Sequence, residues 1–247
     1  INHSPASSKK YIGSPSIVIL DKGEYLVSHD LFGPGSAYRN TFIFKSNDYG
    51  KNWERLTQIK GQWWSNIFTH NENIYIFGVD KRDGRIVIRR SLDKGKTWTE
   101  PISKDRGILT KEEGYHCAPM PVVNYKNRLW RAFEKRTDEE TFSFVMSASV
   151  DSNLLKAENW KKTNKISNKK AGFTWREGNV VIDRKNDEIL NIIRYEPPEG
   201  GKAAVLHVGD EGNNIYFDSE LDIIDFPGGS KKFTIRYDGK TKLYWTL

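Results

Sequence analysis

Cysteine is almost absent from the 247 residues: Cys117 stands alone. One thiol excludes an intrachain disulfide framework and a cysteine-rich metal site, and it fits cytoplasm and periplasm alike. Long apolar runs are missing too. Segments such as Ser16–Leu20 and Val180–Ile182 are strand-sized, far short of the ~20 residues of a membrane-spanning helix, so no membrane span is expected. There is no helical period beyond a short piece around Asn153–Glu158, which reads as a turn. The first residue is Ile1 rather than Met, so a removed leader is expected, with a secreted or periplasmic location. No metal or other cofactor is expected.

Aromatic residues are plentiful at 13%, which marks a folded chain with a sizeable core. The net charge of +7 suits an anionic partner or a plain solvated surface. Its cations alternate with carboxylates, and the densest blocks are only Lys161-Lys162 and Lys169-Lys170. That pattern argues against nucleic acid.

Runs rich in Val, Ile, Tyr, Phe and Trp recur about every 8–12 residues between turn residues, the pattern of short antiparallel strands. They group in fours. Ser16–Leu20, Tyr25–Ser28, Thr41–Lys45 and Trp53–Ile59 make the first set; Ser65–His70, Ile74–Val79, Ile86–Ser91 and Trp98–Ile102 the second. The third is Met120–Tyr125, Leu129–Phe133, Phe142–Ser147 and Trp160–Thr163. The fourth is Asn179–Asp183, Glu188–Arg194, Ala203–Val208 and Ile215–Asp218, and Phe233–Tyr237 with Leu243–Leu247 opens a fifth. One motif repeats: Ser46-Asn47-Asp48-Tyr49-Gly50-Lys51-Asn52-Trp53 and Ser91-Leu92-Asp93-Lys94-Gly95-Lys96-Thr97-Trp98, both S-x-D-x-G-x-x-W, 45 residues apart. Ser147 to Trp160 reads as a stretched copy, and Asp210-Glu211-Gly212 marks the same turn in the fourth set. Asp suits turn amides, Gly supplies a positive φ and Trp packs between modules. This is the Asp-box hairpin, a structural staple spaced at one blade of a β-propeller.

The expected fold is therefore all-β: a β-propeller of four-stranded antiparallel blades, six or seven in full, of which this chain covers about five or fewer. Residues 1–10 read as a leader and 11–247 as a single propeller domain, incomplete at its C-terminal end. If the Asp-box turns lie at the bottom, the loops entering each first strand and those joining the second and third strands converge on top. They carry His29, Asp30, Trp63, Trp64, Tyr115, His116, Glu134, Arg176, Glu177, Arg194, Tyr195 and Lys232, with Arg131 close by. Aromatics stack on sugar faces, cations hold carboxylates, and a carboxylate or His moves the proton. Each has a plainer reading. His29 and Asp30 fit a strand-end cap, His116 a core histidine, Arg131 and Glu134 a mutual ion pair, and Trp63 or Trp64 inter-blade packing. His70 and His207 lie away from the expected centre.

With the Asp-boxes in hand, the chain resembles the sialidase-like (BNR-repeat) propeller superfamily. Gly13-Ser14-Pro15-Ser16, Ser28-His29-Asp30-Leu31-Phe32-Gly33-Pro34-Gly35, Tyr115-His116-Cys117-Ala118-Pro119, Trp130-Arg131-Ala132-Phe133-Glu134 and Phe226-Pro227-Gly228-Gly229-Ser230 resemble its bacterial exo-sialidase-like branch. The resemblance implies a glycoside hydrolase removing a terminal acidic sugar, with arginines clasping a carboxylate. The superfamily's first arginine, in an Arg-Ile-Pro stretch, has no counterpart here, where Gly13-Ser14-Pro15 stands, and no Tyr–Glu nucleophile pair is assigned. Asp30 or Glu177 is the expected proton donor, with His29 and His116 as relays. Arg131, Arg176 and Arg194 are the expected anion ligands, and the partner is an acidic oligosaccharide or polysaccharide. Two alternatives stand beside this. One is a lyase acting on uronates by β-elimination, which Tyr115, His116 and His29 also suit; the other is a non-catalytic glycan-binding propeller.

Overall fold

The computed structural model describes residues 1–247, the side chain of Asp210 excepted; Asp210 of the fourth expected turn therefore lies outside the described side chains. Packing divides the chain into two compact units, Ile1–Pro119 with Asn153–Glu158, and Met120–Ser152 with Asn159–Leu247. Both are built from antiparallel sheets, and the fold is that of a β-propeller.

The first unit holds two blades. In the first, β1 (Tyr11–Asp21), β2 (Glu24–Phe32), β3 (Asn40–Ser46) and β4 (Glu54–Lys60) pair in chain order. The second pairs β5 (Trp63–His70), β6 (Asn73–Val79) and β7 (Ile86–Ser91), and a short β8 (Tyr115–His116) follows. The apolar run of β6 is buried throughout, as expected for a strand covered on both faces. Leu26, Ile43, Ile59, Ile67, Ile74 and Ile76 form the core between the two sheets. The expected fourth strand of this blade, Trp98–Ile102, is not a strand. Thr99 N–H donates to the Arg90 carbonyl at 2.9 Å, and then Pro101, which has no N–H, follows before a second rung forms.

The second unit begins with β9 (Val123–Tyr125), β10 (Arg128–Arg136), β11 (Thr141–Ser149) and β12 (Trp160–Lys162), with β13 (Ile166–Ser167) also on β11. Next come β14 (Trp175–Asp183), β15 (Glu188–Tyr195), β16 (Lys202–Gly209) and β17 (Asn214–Tyr216), with β18 (Ile223–Asp225) also on β16. A hairpin of β19 (Ile235–Asp238) and β20 (Leu243–Thr246) ends the chain. The outer strand is split in two in both larger sheets, and one main-chain bond spans each gap: Thr163 N–H to the Val145 carbonyl, and Val205 N–H to that of Asp222. The fully buried Trp130 and Trp175 anchor this unit's core with Ile193, Leu206 and Ile215.

The two repeated turns form the same bonds. Ser46 Oγ donates to Asp48 Oδ1 at 2.8 Å and accepts from Gly50 N–H, Asn52 N–H donates to Asp48 Oδ1 at 2.9 Å, and Trp53 Nε1 donates to the Gly50 carbonyl at 2.8 Å. Ser91, Asp93, Gly95, Thr97 and Trp98 repeat this pattern. The Asn52 N–H and amide, with the Ser46 hydroxyl, lower the Asp48 carboxyl to a pKa of about 2. For Asp93, partial burial opposes the shift, but the Thr97 and Ser91 hydrogen bonds outweigh it. Gly95 has φ 88° and sits so close to Leu26 on β2 that a Cβ would come within 2.9 Å of its methyl. Gly212 stands in the same relation to Trp130 on β10, at 2.8 Å. Ser147, by contrast, makes no such turn and accepts from Arg128 Nε and Nη2.

Candidate functional site

The innermost strand of three blades carries the same irregularity. Register shifts fall between Gly13 and Ser16 on β1, Trp63 and Asn66 on β5, and Arg176 and Asn179 on β14, so that two residues oppose one on the partner strand. The first bulged residue is left-handed each time although none is glycine: Ser14 at φ 51°, Trp64 at 52° and Glu177 at 65°. Such backbone costs about 1–3 kcal/mol per residue and re-aims the side chain it carries. The residue after the bulge then ties blade to blade. Ser16 Oγ accepts Ile67 N–H at 3.0 Å, and Asn179 Oδ1 accepts Ile235 N–H at 3.1 Å. Carboxylates hold two of the bulges themselves. Asp30 Oδ2 accepts Trp64 N–H at 2.7 Å in the first unit, and Glu134 Oε1 accepts Gly178 N–H at 3.0 Å in the second.

In the first unit, Asp30 is 1% exposed, and its other oxygen accepts the Thr41 hydroxyl at 2.5 Å. His29, one residue earlier, faces the opposite side of the sheet, as strand alternation requires. Its ring stacks on Phe42 and Phe44, its Nε2 meets the Asn2 amide at 2.8 Å, and burial lowers its pKa. The structure therefore does not aim His29 and Asp30 at one point. Trp63, expected either at the pocket or between blades, is buried against Phe32 and Tyr38. Trp64 packs edge-on to His116, ring centres 4.3 Å apart, while Cys117 Sγ donates to the Trp64 carbonyl. Tyr115 is buried beside them, which raises its pKa.

In the second unit, one end of β14 and β15 gathers charge. Glu177 is buried, yet its carboxylate meets Arg194 Nη1 at 3.0 Å and Lys232 Nζ at 3.2 Å. Arg194 Nε and Arg176 Nε both approach Glu196 Oε1, at 2.9 and 3.0 Å. Four residues expected from sequence (Glu177, Arg176, Arg194 and Lys232) thus join one network. Glu196 was not singled out; its signal was its place two residues after Arg194, on the same side of an extended chain. Three more expected residues of this unit make contacts of their own. Tyr195 donates its hydroxyl to the Ala171 carbonyl at 2.7 Å, and burial raises its pKa. Arg131 is fully buried on β10 with its guanidinium 5.1 Å from the Phe133 ring centre. Glu134 binds the bulge next to Glu177. The network can hold an anionic group at Lys232 and Arg176, its more exposed cations, beside a carboxylate shielded from water.

No family model and no curated protein matches the chain. Solved structures do. The family-93 α-L-arabinofuranosidase of Fusarium graminearum, solved with arabinobiose, aligns over 96% of this chain and 74% of its own, at 15% identity and a TM-score of 0.57. A thermostable family-43 glycoside hydrolase aligns over 96% and 83%, at 11% identity and 0.56. The exo-β-1,3-galactanase of Phanerochaete chrysosporium, solved with β-1,3-galactotriose, aligns over 97% and 53%, at 10% identity and 0.57. These neighbours are five-bladed β-propellers, and at such identities the likeness is one of fold.

Proposed function

We propose that this chain is a carbohydrate-active β-propeller of the sialidase-like, Asp-box kind, which hydrolyses the glycosidic bond of a terminal acidic sugar with Glu177 as its reaction carboxylate. The observation that carries this reading is the Glu177 network: a buried carboxylate on a strained bulge, clasped by Arg194 and Lys232. Neighbours of the same fold that cleave glycans support the reaction class. Two cations at hydrogen-bonding range favour the carboxylate over the carboxylic acid. Of the roles open to Glu177, that of base fits better than proton donor: it takes a proton from the water whose oxygen attacks the anomeric carbon as the glycosidic C–O bond breaks, and the departing oxygen takes its proton from a second water. Lys232 and Arg176 meet the sugar's own carboxylate.

The test incubates the protein with sialyllactose and with oligosaccharides ending in glucuronate or galacturonate. A free reducing sugar without an ultraviolet-absorbing double bond is expected. Unsaturated products would assign β-elimination, and binding without product a non-catalytic role. Lys232→Met should raise KM for the acidic substrate at least tenfold, the loss of a charge-assisted hydrogen bond of roughly 1.5 kcal/mol.

A further inference from the structure

A cavity of about 590 Å³ opens in the second unit at the far end of β14 and β15. Glu177 and Asp183 lie six residues apart on β14, which at a rise of ~3.3 Å per residue puts the Glu177 network roughly 20 Å away. His207, which sequence reasoning set aside from the expected centre, lies on its wall with Tyr216.

The two are directly paired across β16 and β17, and their rings stack with centres 5.0 Å apart and planes 11° from parallel. Tyr216 is nonetheless 53% exposed, so one face of its ring rests on His207 while the rest meets solvent. The support is fixed in turn: His207 Nε2 lies 3.1 Å from Asp222 Oδ1, and Nδ1 is 3.6 Å from Glu188 Oε2. The cations of the wall are already engaged. Lys126 pairs with Asp187, and Arg128 gives Nε and Nη2 to Ser147 and has the Glu211 carboxylate on the same wall as its charged neighbour. The cavity therefore offers a flat, backed aromatic face with carboxylate acceptors beside it, and its positive charge is compensated within the protein. Apolar sugar faces stack on such rings and sugar hydroxyls donate to such carboxylates, whereas an anionic sugar would meet acidic neighbours.

We propose that this cavity binds a neutral sugar residue of a polysaccharide, stacked on Tyr216, as a second site independent of the Glu177 centre. The test is native electrophoresis through gels containing soluble xylan, arabinan or galactan, with polygalacturonate as the acidic probe. At least one neutral polysaccharide should retard the chain. Tyr216→Ala should weaken that affinity at least tenfold, Tyr216→Phe should keep it, and Glu177→Gln should not change it. Should Tyr216→Ala melt early, Tyr216→Leu takes its place, keeping apolar cover over His207 without a flat ring. The proposal is overturned by no retardation in any neutral gel, by equal retardation of native chain and Tyr216 variant, or by retardation in polygalacturonate alone.

Discussion

Asp30 in the first unit and Glu177 in the second are both buried carboxylates at the end of an inner blade edge, yet their partners differ in kind. A backbone N–H and a threonine hydroxyl donate to the oxygens of Asp30. Those of Glu177 face two long cationic side chains, one of them 43% exposed. Fixed neutral donors make a carboxylate a fastener, because removing it strands the buried Trp64 N–H, which closes a bulge 34 residues on. Long cations make it a poised charge, because they can be shared with an incoming anion. Burial alone does not separate the two roles; the partner atoms do.

The comparison predicts effects of decreasing size. Glu177→Gln should lower turnover by about 10²–10⁴-fold, the usual reach of a proton-transfer group, with little change in unfolding midpoint. Asp30→Ala should instead cost about 1–3 kcal/mol in urea unfolding, since the buried Trp64 N–H loses its acceptor, while the Thr41 hydroxyl keeps the Gln62 carbonyl at 2.9 Å. Glu134→Ala should do the same through Gly178 N–H in the other unit. An Asp30→Ala protein that keeps its stability but loses turnover would erase the distinction.

Smaller effects appear on acidification. The folded Asp48 carboxyl titrates near 2, below the ordinary 3.8, so its contribution is present above 3.8 and is lost as pH falls towards 2. Thermal unfolding of Asp48→Asn should show a flatter decline across that window than the native chain. The pKa of His29 is lowered as well, here by burial. It lies below 6.5, so the unfolded chain takes up the proton first and stability declines as pH drops through 6.5. His29→Gln should remove that part of the slope in the same melts.

The turns were legible in the sequence because they are local: every bond of Ser46–Trp53 closes within eight residues, and the motif spells out donor, acceptor and positive φ together. The strands were legible from apolar runs, except where Pro101 ended Trp98–Ile102 before it could pair. The bulges were not. Ser14, Trp64 and Glu177 look like ordinary loop residues until cross-strand register shows two positions facing one, a long-range property that no window of sequence contains. The same limit hid the fastening role of Asp30, whose partner Trp64 lies 34 residues on. It also hid the divergence of His29 from Asp30, visible only once both are fixed on β2. The Glu177 network was legible in its residue types and illegible in its pairing, which joined Arg194 to both Glu177 and Glu196.

The most direct measurement is turnover of an acidic oligosaccharide by native protein, Glu177→Gln and Asp30→Asn side by side, each checked for its unfolding midpoint. The account predicts that Glu177→Gln stays folded and stops releasing sugar, while Asp30→Asn is less stable and still releases it. Full sugar release by a folded Glu177→Gln protein would contradict it.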